Sequence, residues 1–265
     1  MNQRSSCLRS QKEKAIEFRK MHQSGDILVL PNAWDVPSAR IFEQAGFPAI
    51  GTSSAAIAIS LGYPDGQKIT RDEMLEVVER IARSVSIFVT ADMEAGYGIT
   101  AADVAETAER VIAAGAIGLN LEDSTKRLDP PLYNVGAQVR KIAEIKKVGD
   151  WLDVPLVINA RTDVLILGQG DKSSRLKEAI DRGKAYNNAG ADCFFPVGAI
   201  DSQTISEITR KLVARSTSWP PMVYLRFLSS RVWESDGSAW GADLHGQPLA
   251  WLGRSLTSFA KAVPT

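Results

Sequence analysis

The sequence predicts an α/β protein, built as a (β/α)8 barrel of the TIM type. Short apolar runs alternate along the chain with stretches of helical periodicity. Three similar junctions separate a predicted helix from the next strand: Ala45-Gly46-Phe47, Ala114-Gly115-Ala116 and Ala189-Gly190-Ala191. Glycine is favoured just beyond a helix C-terminus. Repeated helix-to-strand junctions indicate a parallel sheet, which 265 residues can close into a barrel, although the pattern leaves open a doubly wound sheet.

The individual elements follow from the same periodicities. The predicted strands are Ile27–Leu30, Ala49–Thr52, Ile87–Ala91, Gly118–Leu121, Leu156–Asn159, Asp192–Phe195 and Met222–Leu225. The predicted helices cover 36–45, 70–83, 100–114, 136–148, 174–189 and 202–214. Thr70 and Thr100 each precede an acidic residue by three positions, the pattern of a capped helix N-terminus. The last strand and helix of the barrel receive no assignment.

Length and composition predict one domain over residues 1–265, because 45% hydrophobic residues suffice for one full core. Basic and acidic residues balance at 31 each, so we expect no nucleic-acid partner. No apolar run is long enough to span a membrane, and the polar first twenty residues do not resemble a secretory signal. The two cysteines, Cys7 and Cys193, are far apart in sequence, which favours a reducing cytoplasm.

Acidic side chains gather where the predicted strands end. In a barrel, the carboxyl ends of the strands and the loops after them form the catalytic face. Those positions hold Arg161 and five acids, namely Asp65, Asp92, Glu94, Glu122 and Asp123. Crowded carboxylates repel one another unless a positive group lies among them. The set therefore predicts a cation site, although any single acid could instead cap a helix or face solvent.

The donor atoms favour Mg²⁺, with Mn²⁺ as an alternative. Oxygen ligands without His or Cys are typical of these hard cations. His22 and His245 lie outside the acidic positions, so we do not expect a histidine-based zinc site. A Schiff-base aldolase is disfavoured because no lysine stands at a predicted strand end. A sugar-phosphate barrel would need a glycine-rich loop after strands seven and eight, and the sequence shows none.

Ser53 and Ser54 follow the second predicted strand and precede a run of small residues. Backbone N–H groups in such a turn can bind a carboxylate. The pattern fits an ordinary turn equally well.

Eight motifs follow one another along the chain: Leu30–Asp35, Ser38–Arg40, Ala45–Phe47, Thr52–Ala55, Leu61–Asp65, Ala91–Gly98, Leu121–Asp123 and Asn159–Asp163. Together they resemble the isocitrate lyase/phosphoenolpyruvate mutase superfamily, over about residues 25–200. The resemblance is nearest to its phosphoenolpyruvate phosphonomutase-like and carboxyvinyl-carboxyphosphonate phosphorylmutase-like group. It implies a Mg²⁺-dependent homotetramer that makes or breaks a C–C or P–C bond next to an enolate.

The resemblance also implies roles for single residues. Asp92 would bind Mg²⁺ directly, and three further acids would hold its waters: Asp65, Glu94 and Glu122. The substrate would contact Trp34, Asp35, Ser53, Ser54, Ala55 and Arg161. Arg161, Asp65 and Glu122 would be catalytic, with Mg²⁺ and Arg161 stabilising charge on an enolate oxygen. We therefore predict a lyase that cleaves a C–C bond of a small 2-oxo or 2-hydroxy carboxylic acid.

Departures from the superfamily keep alternatives open. Its lyase branch carries a catalytic Cys in a Lys-Lys-Cys-Gly-His type loop, whereas residues 91–94 and 124–130 contain no cysteine. Cleavage of isocitrate or methylisocitrate by a cysteine acid is therefore disfavoured. The loop after the Glu122-Asp123 pair is also short and rich in proline compared with the gating loop of the mutase branch. Phosphonomutase-type P–C chemistry and a non-catalytic paralogue that binds a 2-oxo acid are the alternatives.

Residues 222–265 do not resemble the usual end of the superfamily. A glycine-rich loop, a final strand and an intersubunit helix are replaced by a segment in which three of the six tryptophans follow residue 230. When this stretch is back-translated and the codons are regrouped from the third base of Val232, the shifted frame permits a sequence similar to the superfamily's last strand. We hypothesise that this tail is translated out of frame, with true divergence as the alternative. The coding DNA decides between them, because early stops in the shifted frame would exclude the first.

Overall fold

The computed structural model describes residues 2–23, 28–126, 129–199, 201–213 and 222–223. The strands in these ranges are β1 (Asn32–Ala33), β2 (Ala49–Thr52), β3 (Phe88–Asp92), β4 (Gly118–Glu122), β5 (Val157–Thr162), β6 (Cys193–Pro196) and β7 (Met222–Val223). The helices are α1 (Asn2–Met21), α2 (Val36–Gln44), α3 (Ser54–Ser60), α4 (Arg71–Ser84), α5 (Ala101–Ala113), α6 (Val135–Trp151), α7 (Val164–Leu167), α8 (Lys172–Asn188) and α9 (Ser202–Val213). None of these helices is long and apolar enough to cross a membrane.

All seven described strands belong to one parallel sheet, in the sequential order β1 to β7. A doubly wound sheet would reverse its strand order at a switch point, whereas a TIM barrel keeps the strands in sequence. The observed order therefore follows the barrel rather than the open sheet. Most of the atypical tail, residues 224–265, lies outside the described residues, as does any eighth strand within it.

Local sequence signals placed the helices well. Each of the six predicted helices is present, with ends that agree to within three residues. The hydroxyls of Thr70 and Thr100 cap α4 and α5, and Glu73 and Asp103 close the reciprocal bonds of a capping box. The glycines of the three repeated junctions have φ of 86°, 93° and 106°, the left-handed conformation expected after a helix.

The prediction of a first strand at Ile27–Leu30 is wrong. Residues 28–30 are described and are not strand, and β1 is Asn32–Ala33, paired with Gly51 and Thr52. Pro31 explains the displacement, because proline has no N–H to contribute to a ladder. Its carbonyl oxygen still accepts a hydrogen bond from the Gly51 N–H at 3.0 Å.

Helix α1 was not predicted, because its sequence is polar overall. From residue 11 onward, its buried residues nevertheless follow helical spacing, and His22 directly after the helix continues it: Gln11, Ala15, Phe18 and His22. Phe18 is 1% exposed and packs against Gly118, where an added Cβ would lie 3.3 Å from the Phe18 ring and 2.9 Å from the Val157 carbonyl oxygen. Glycine therefore allows the helix to close on the amino-terminal edge of the sheet.

An ion pair fastens α1 to the same edge. The Arg19 Nε donates to Asp192 Oδ1 at 2.7 Å, and its Nη2 donates to the carbonyl oxygens of Pro155 and Leu156. Asp192 Oδ2 in turn accepts from the Ile158 N–H at 2.9 Å. One guanidinium thus joins α1 to the starts of β5 and β6.

Cys193 is the first residue of β6 and is fully buried, so it packs in the core. Burial raises the pKa of its thiol well above the ordinary value. A thiol of this kind is a poor proton donor to any external group.

Asp123, one of the five acids expected at the catalytic face, instead joins structural elements in the interior. It is 0% exposed, and its carboxylate accepts hydrogen bonds from Thr162 Oγ1, the Asp163 N–H, Arg182 Nη1 and the Tyr186 hydroxyl at 2.6 to 3.0 Å. These donors belong to β5, the turn after it, and α8. Asp123 therefore holds α8 against the sheet, and the expectation that all five acids converge on one open site is wrong.

Replacing Asp123 tests this structural role. Asp123→Asn leaves Arg182 without its buried carboxylate, so we expect the free energy of unfolding to fall by about 3 kcal/mol. Asp181→Asn, on the same helix but 58% exposed, should change it by less than about 0.5 kcal/mol. Urea denaturation followed by circular dichroism measures both, and equal stability of the two variants would contradict the assignment.

Candidate active site

Three charged residues meet at the carboxyl edge of the sheet because of its register. Asp92 is the last residue of β3, Glu122 the last of β4, and Arg161 lies near the end of β5. Asp92 pairs with Asn120, two residues before Glu122, and Glu122 pairs with Arg161. The sequence motifs that ended these strands thus lie side by side.

The end of β2 and the start of α3 hold Asp92 in place. Its Oδ2 accepts hydrogen bonds from the Ser54 hydroxyl at 2.8 Å and the Ser54 N–H at 3.3 Å. Its own N–H donates to Thr52 Oγ1 at 2.9 Å, and its Oδ1 accepts from the Glu94 N–H at 3.3 Å. The carboxylate is therefore held in one position while its residue stays only half-buried.

Glu94 and Glu122 form a buried acidic pair, each only 1% exposed. The Lys126 ammonium makes an ion pair with each of them, at 3.2 Å from Glu94 Oε2, and Arg161 Nη1 lies 3.1 Å from Glu122 Oε2. Within the described residues, Glu94 Oε2 and both carboxylate oxygens of Glu122 face these cationic groups without receiving a well-aligned hydrogen bond. These three oxygens thus have cationic neighbours but lack the well-aligned hydrogen bonds that buried oxygens usually receive.

This environment changes the acidity of the pair. Burial raises the pKa of Glu122 to about 7, although the nearby Arg161 and Lys126 charges lower it. Burial also raises the pKa of Glu94, again against the effect of Lys126. Carboxyl groups in such surroundings bind a proton or another cation more readily than exposed ones do.

Arg161 is held in a fixed orientation by Asp163. The guanidinium Nε and Nη2 donate to Asp163 Oδ1 and Oδ2 at 2.7 and 3.0 Å, a bidentate arrangement. Burial alone would lower the pKa of Arg161, but the carboxylates of Glu122 and Asp163 raise it, so the group stays charged. The remaining edge of the guanidinium points toward Glu122.

The residues present fit a hard divalent cation. The groups that could bind a cation here are carboxylates. Three of their oxygens, one of Glu94 and both of Glu122, are buried and receive no well-aligned hydrogen bond. In the described segments, no three His, Cys, Asp or Glu side chains stand close enough to enclose a metal ion by themselves. Mg²⁺ does not require this, because it keeps several waters and binds proteins through one or two carboxylates.

Asp65 is exposed, in the segment between α3 and α4, and its Oδ1 accepts from the Gly66 N–H at 2.8 Å. A neighbouring residue connects this segment to the acidic pair. The Gln67 N–H donates to Glu94 Oε1 at 3.1 Å, and Gln67 Oε1 accepts from the Tyr97 N–H at the same distance. Asp65 contributes to the raised pKa of Tyr97, which burial mainly causes. Its proposed metal role stays a prediction.

Apart from Arg161, the residues expected to bind substrate lie just after the first two strands. Ser53 caps α3, and Ser54 and Ala55 begin that helix, so this segment is a helix start rather than a plain turn. Ser54 already donates its N–H and hydroxyl to Asp92. Asp35 accepts from the Ser38 N–H at 2.8 Å as the cap of α2, directly after the half-buried Trp34. Among the described residues, Trp34 and Asp35 make no hydrogen bond or ion pair with Asp92, Glu94 or Glu122.

Three residues that contact the site were missing from the predicted set: Lys126, Gln67 and Asp163. Lys126 follows β4 by four residues and carries no signal that separates it from an ordinary loop charge. Burial lowers its pKa, but Glu122 and Glu94 raise it further, so its amine stays protonated. A protonated amine is not a nucleophile, which keeps a Schiff-base reaction disfavoured. Asp163 could have been found, because a carboxylate two residues after an arginine on a strand end can bind it directly.

Comparison with known proteins agrees with this geometry. The family model described as phosphoenolpyruvate phosphomutase matches residues 18–227. A 2-methylisocitrate lyase of Halalkalibacterium halodurans is 32% identical over 218 residues, which are 80% of this chain and 67% of that protein. An oxaloacetate decarboxylase of Rhodopseudomonas palustris is 37% identical over 184 residues, 66% of this chain and 60% of that protein.

Solved structures give the same result. A phosphonopyruvate hydrolase crystallised with oxalate and Mg²⁺ superposes with a TM-score of 0.67 at 30% sequence identity, covering 79% of this chain and 70% of the other. The parallel sheet with its helices is the TIM-type barrel of these relatives, which confirms the predicted fold class. The relatives are enzymes that act on C–C or P–C bonds. The chain belongs to the phosphoenolpyruvate mutase/isocitrate lyase superfamily.

Proposed function

We propose that this protein is a Mg²⁺-dependent lyase that cleaves a C–C bond of a small 2-oxo or 2-hydroxy carboxylic acid through an enolate. The buried pair Glu94 and Glu122 carries the proposal, because three of its four oxygens receive no well-aligned hydrogen bond and face cationic groups, beside the oriented Asp92 and Arg161. The phosphonopyruvate hydrolase complex contains Mg²⁺ and oxalate, a small dicarboxylate, and supports this assignment.

In this proposal Asp92 binds the metal directly, and Glu94, Glu122 and Asp65 hold its waters. Bound Mg²⁺ supplies positive charge that offsets the negative charge of an enolate oxygen. Ser54 keeps the Asp92 carboxylate aimed at the site, since it donates two hydrogen bonds to one oxygen. Lys126 holds Glu94 and Glu122 together before the metal arrives.

Arg161 is proposed to bind a substrate oxygen and to stabilise the charge that develops there. Asp163 binds the Nε and Nη2 groups of the guanidinium. The remaining Nη1 group therefore faces Glu122 and the acidic pair. A preoriented guanidinium in a partly buried site needs little rearrangement when charge develops, which is the basis of electrostatic stabilisation. Trp34, Asp35, Ser53 and Ala55 are proposed to complete the substrate pocket.

The similarity to an oxaloacetate decarboxylase and to a 2-methylisocitrate lyase supports C–C cleavage. Cys193 is buried in β6, and Cys7 belongs to α1, so neither stands at the end of β3 or β4. Cysteine-assisted cleavage therefore stays disfavoured, and an oxaloacetate-like acid is the preferred substrate class. Similarity to a phosphonopyruvate hydrolase keeps P–C cleavage as the second candidate.

Product analysis tests the proposed reaction. The protein with Mg²⁺ is incubated with oxaloacetate, 2-alkylmalates, 2-methylisocitrate and phosphonopyruvate, and products are followed by proton and phosphorus NMR. We expect turnover of an oxaloacetate-like acid that falls by at least about a hundredfold in Asp92→Ala, because the direct metal ligand is lost. Asp150→Ala, a 63% exposed residue of α6, is the matched control. Turnover that survives Asp92→Ala would refute the assignment.

A paralogue that only binds a 2-oxo acid would give a different result. It would show no turnover of any compound, yet Mg²⁺ with oxalate would raise its melting temperature, because a ligand that binds only the native state stabilises it. The homotetramer and the cytoplasmic location stay predictions; light scattering measures the first and cell fractionation the second.

Lys126 provides a separate test of the cation site. Its ammonium competes for the same carboxylate oxygens as a divalent ion. We expect Lys126→Met to tighten Mn²⁺ binding by about tenfold, because a repelling charge is removed from the site. Isothermal titration or electron paramagnetic resonance gives the dissociation constant. Lys147→Met, 70% exposed on α6, is the control, and unchanged Mn²⁺ affinity in Lys126→Met would contradict competition.

A further inference from the structure

Lys141 is a buried lysine that the proposed reaction does not use. It lies in the first half of α6 and is only 1% exposed. Within the described residues, its ammonium makes no ion pair with a carboxylate, unlike Lys126. A buried charge without a counter-ion is unfavourable, so its position requires an explanation.

The ammonium makes three close contacts. Its Nζ donates to the carbonyl oxygens of Ala95 at 3.2 Å and Gly98 at 3.1 Å, and it lies 3.7 Å from the centre of the Tyr133 ring. Ala95 directly follows Glu94, the first acid of the buried pair. Lys141 thus connects α6 to the segment that carries a proposed metal residue.

The segment 94–98 has an unusual backbone. Glu94, Gly96 and Tyr97 have positive φ, at 48°, 94° and 52°. The first and third are strained values for residues with a side chain. At Gly96 an added Cβ would lie 2.8 Å from Val104 Cγ2, so the segment is also tightly packed. A conformation of this kind persists only when surrounding contacts determine it.

Side chains from the neighbouring helices satisfy the carbonyl groups of this segment. Thr107, on α5, donates its hydroxyl to the Gly96 carbonyl oxygen at 2.8 Å. Lys141 binds the carbonyl oxygens on either side, at Ala95 and Gly98. Three backbone acceptors in a row of four residues therefore depend on two side chains.

An apolar residue at this buried position of α6 would avoid the cost of removing a charged group from water, which Lys141 incurs. Burial lowers the pKa of Lys141 to about 8, which expresses the unfavourable environment of its charge. The compensating feature is geometric, because an ammonium offers three donors on a flexible stem. The Lys141 ammonium therefore reaches both carbonyl oxygens at once.

We propose that Lys141 is a positioning residue of the metal site, which fixes the Glu94 carboxylate by holding the backbone of residues 95–98. The inference rests on the proposed function, since it assumes that Glu94 serves the metal. It concerns support rather than direct contact, because the Lys141 ammonium touches carbonyl oxygens and not the carboxylates of the site.

Whether Lys141→Met weakens or tightens metal binding separates a positioning role from a simple effect of the lysine's charge. Lys126 places a positive charge against both acids, and Lys141 places one against the carbonyl oxygen of Ala95, the residue after Glu94. If only charge mattered, Lys141→Met would tighten Mn²⁺ binding, as Lys126→Met is expected to do. If Lys141 positions Glu94, its loss weakens binding, on the order of tenfold, the effect typical of removing a supporting contact at a metal site.

The experiment measures the Mn²⁺ dissociation constant of wild type, Lys141→Met, Lys126→Met and the control Lys147→Met. It also measures amide hydrogen exchange of residues 94–98 without metal. We expect weaker binding and faster exchange in Lys141→Met alone. Unchanged or tighter binding in that variant would overturn the inference while leaving the proposed function intact. Wild type that binds no Mn²⁺ would overturn the proposed function, and the inference with it.

A folding defect would not leave the question open. Circular dichroism and thermal unfolding identify any variant that is not native. If Lys141→Met fails to fold, Lys141→Gln removes the charge but keeps a shorter amide donor. Weaker Mn²⁺ binding by the folded Gln variant supports positioning, and affinity equal to that of wild type with unchanged exchange at residues 94–98 refutes it.

Discussion

The burial of two carboxylates at the carboxyl edge of the sheet is the constraint on which the site depends. Glu94 and Glu122 lose the water that would stabilise their charge, and burial raises the pKa of both. Cations must therefore surround them, and Lys126 and Arg161 do so. Asp163 then orients Arg161, so the charges alternate in sign across the site.

Buried polar contacts away from the acids keep that arrangement in place. Asp123 collects donors from β5 and α8, which fixes the ends of the strands that carry Glu122 and Arg161. Lys141 holds the backbone beyond Glu94 from the other side. At the opposite edge of the sheet, Arg19 ties α1 to the starts of β5 and β6. Local strain at residues 94–98 is therefore tolerated because rigid elements enclose it.

Features that depend on nearby residues could be predicted. The capped starts of α4 and α5 and the glycine junctions depend on contacts within a few residues, and their helices ended where expected. The first strand and α1 were misplaced or missed, because their positions depend on distant partners. Pro31 shifted the pairing of β1, and α1 is defined by a few buried residues, such as Phe18, in an otherwise polar segment.

By itself the sequence determined which acids stand at strand ends, since strand and motif are adjacent along the chain. It could not separate Asp123, which is buried among donors directly after β4, from Glu122, which faces the site. Consecutive residues of an extended segment point to opposite sides, and the sequence does not tell which of the two faces the site. Only the tertiary structure decided that, and it also placed Lys126 and Lys141. Lys126 binds Glu94, 32 residues earlier in the chain, and Lys141 binds carbonyl oxygens 43 and 46 residues earlier. Only the strand register and the packing of α6 bring these partners within reach.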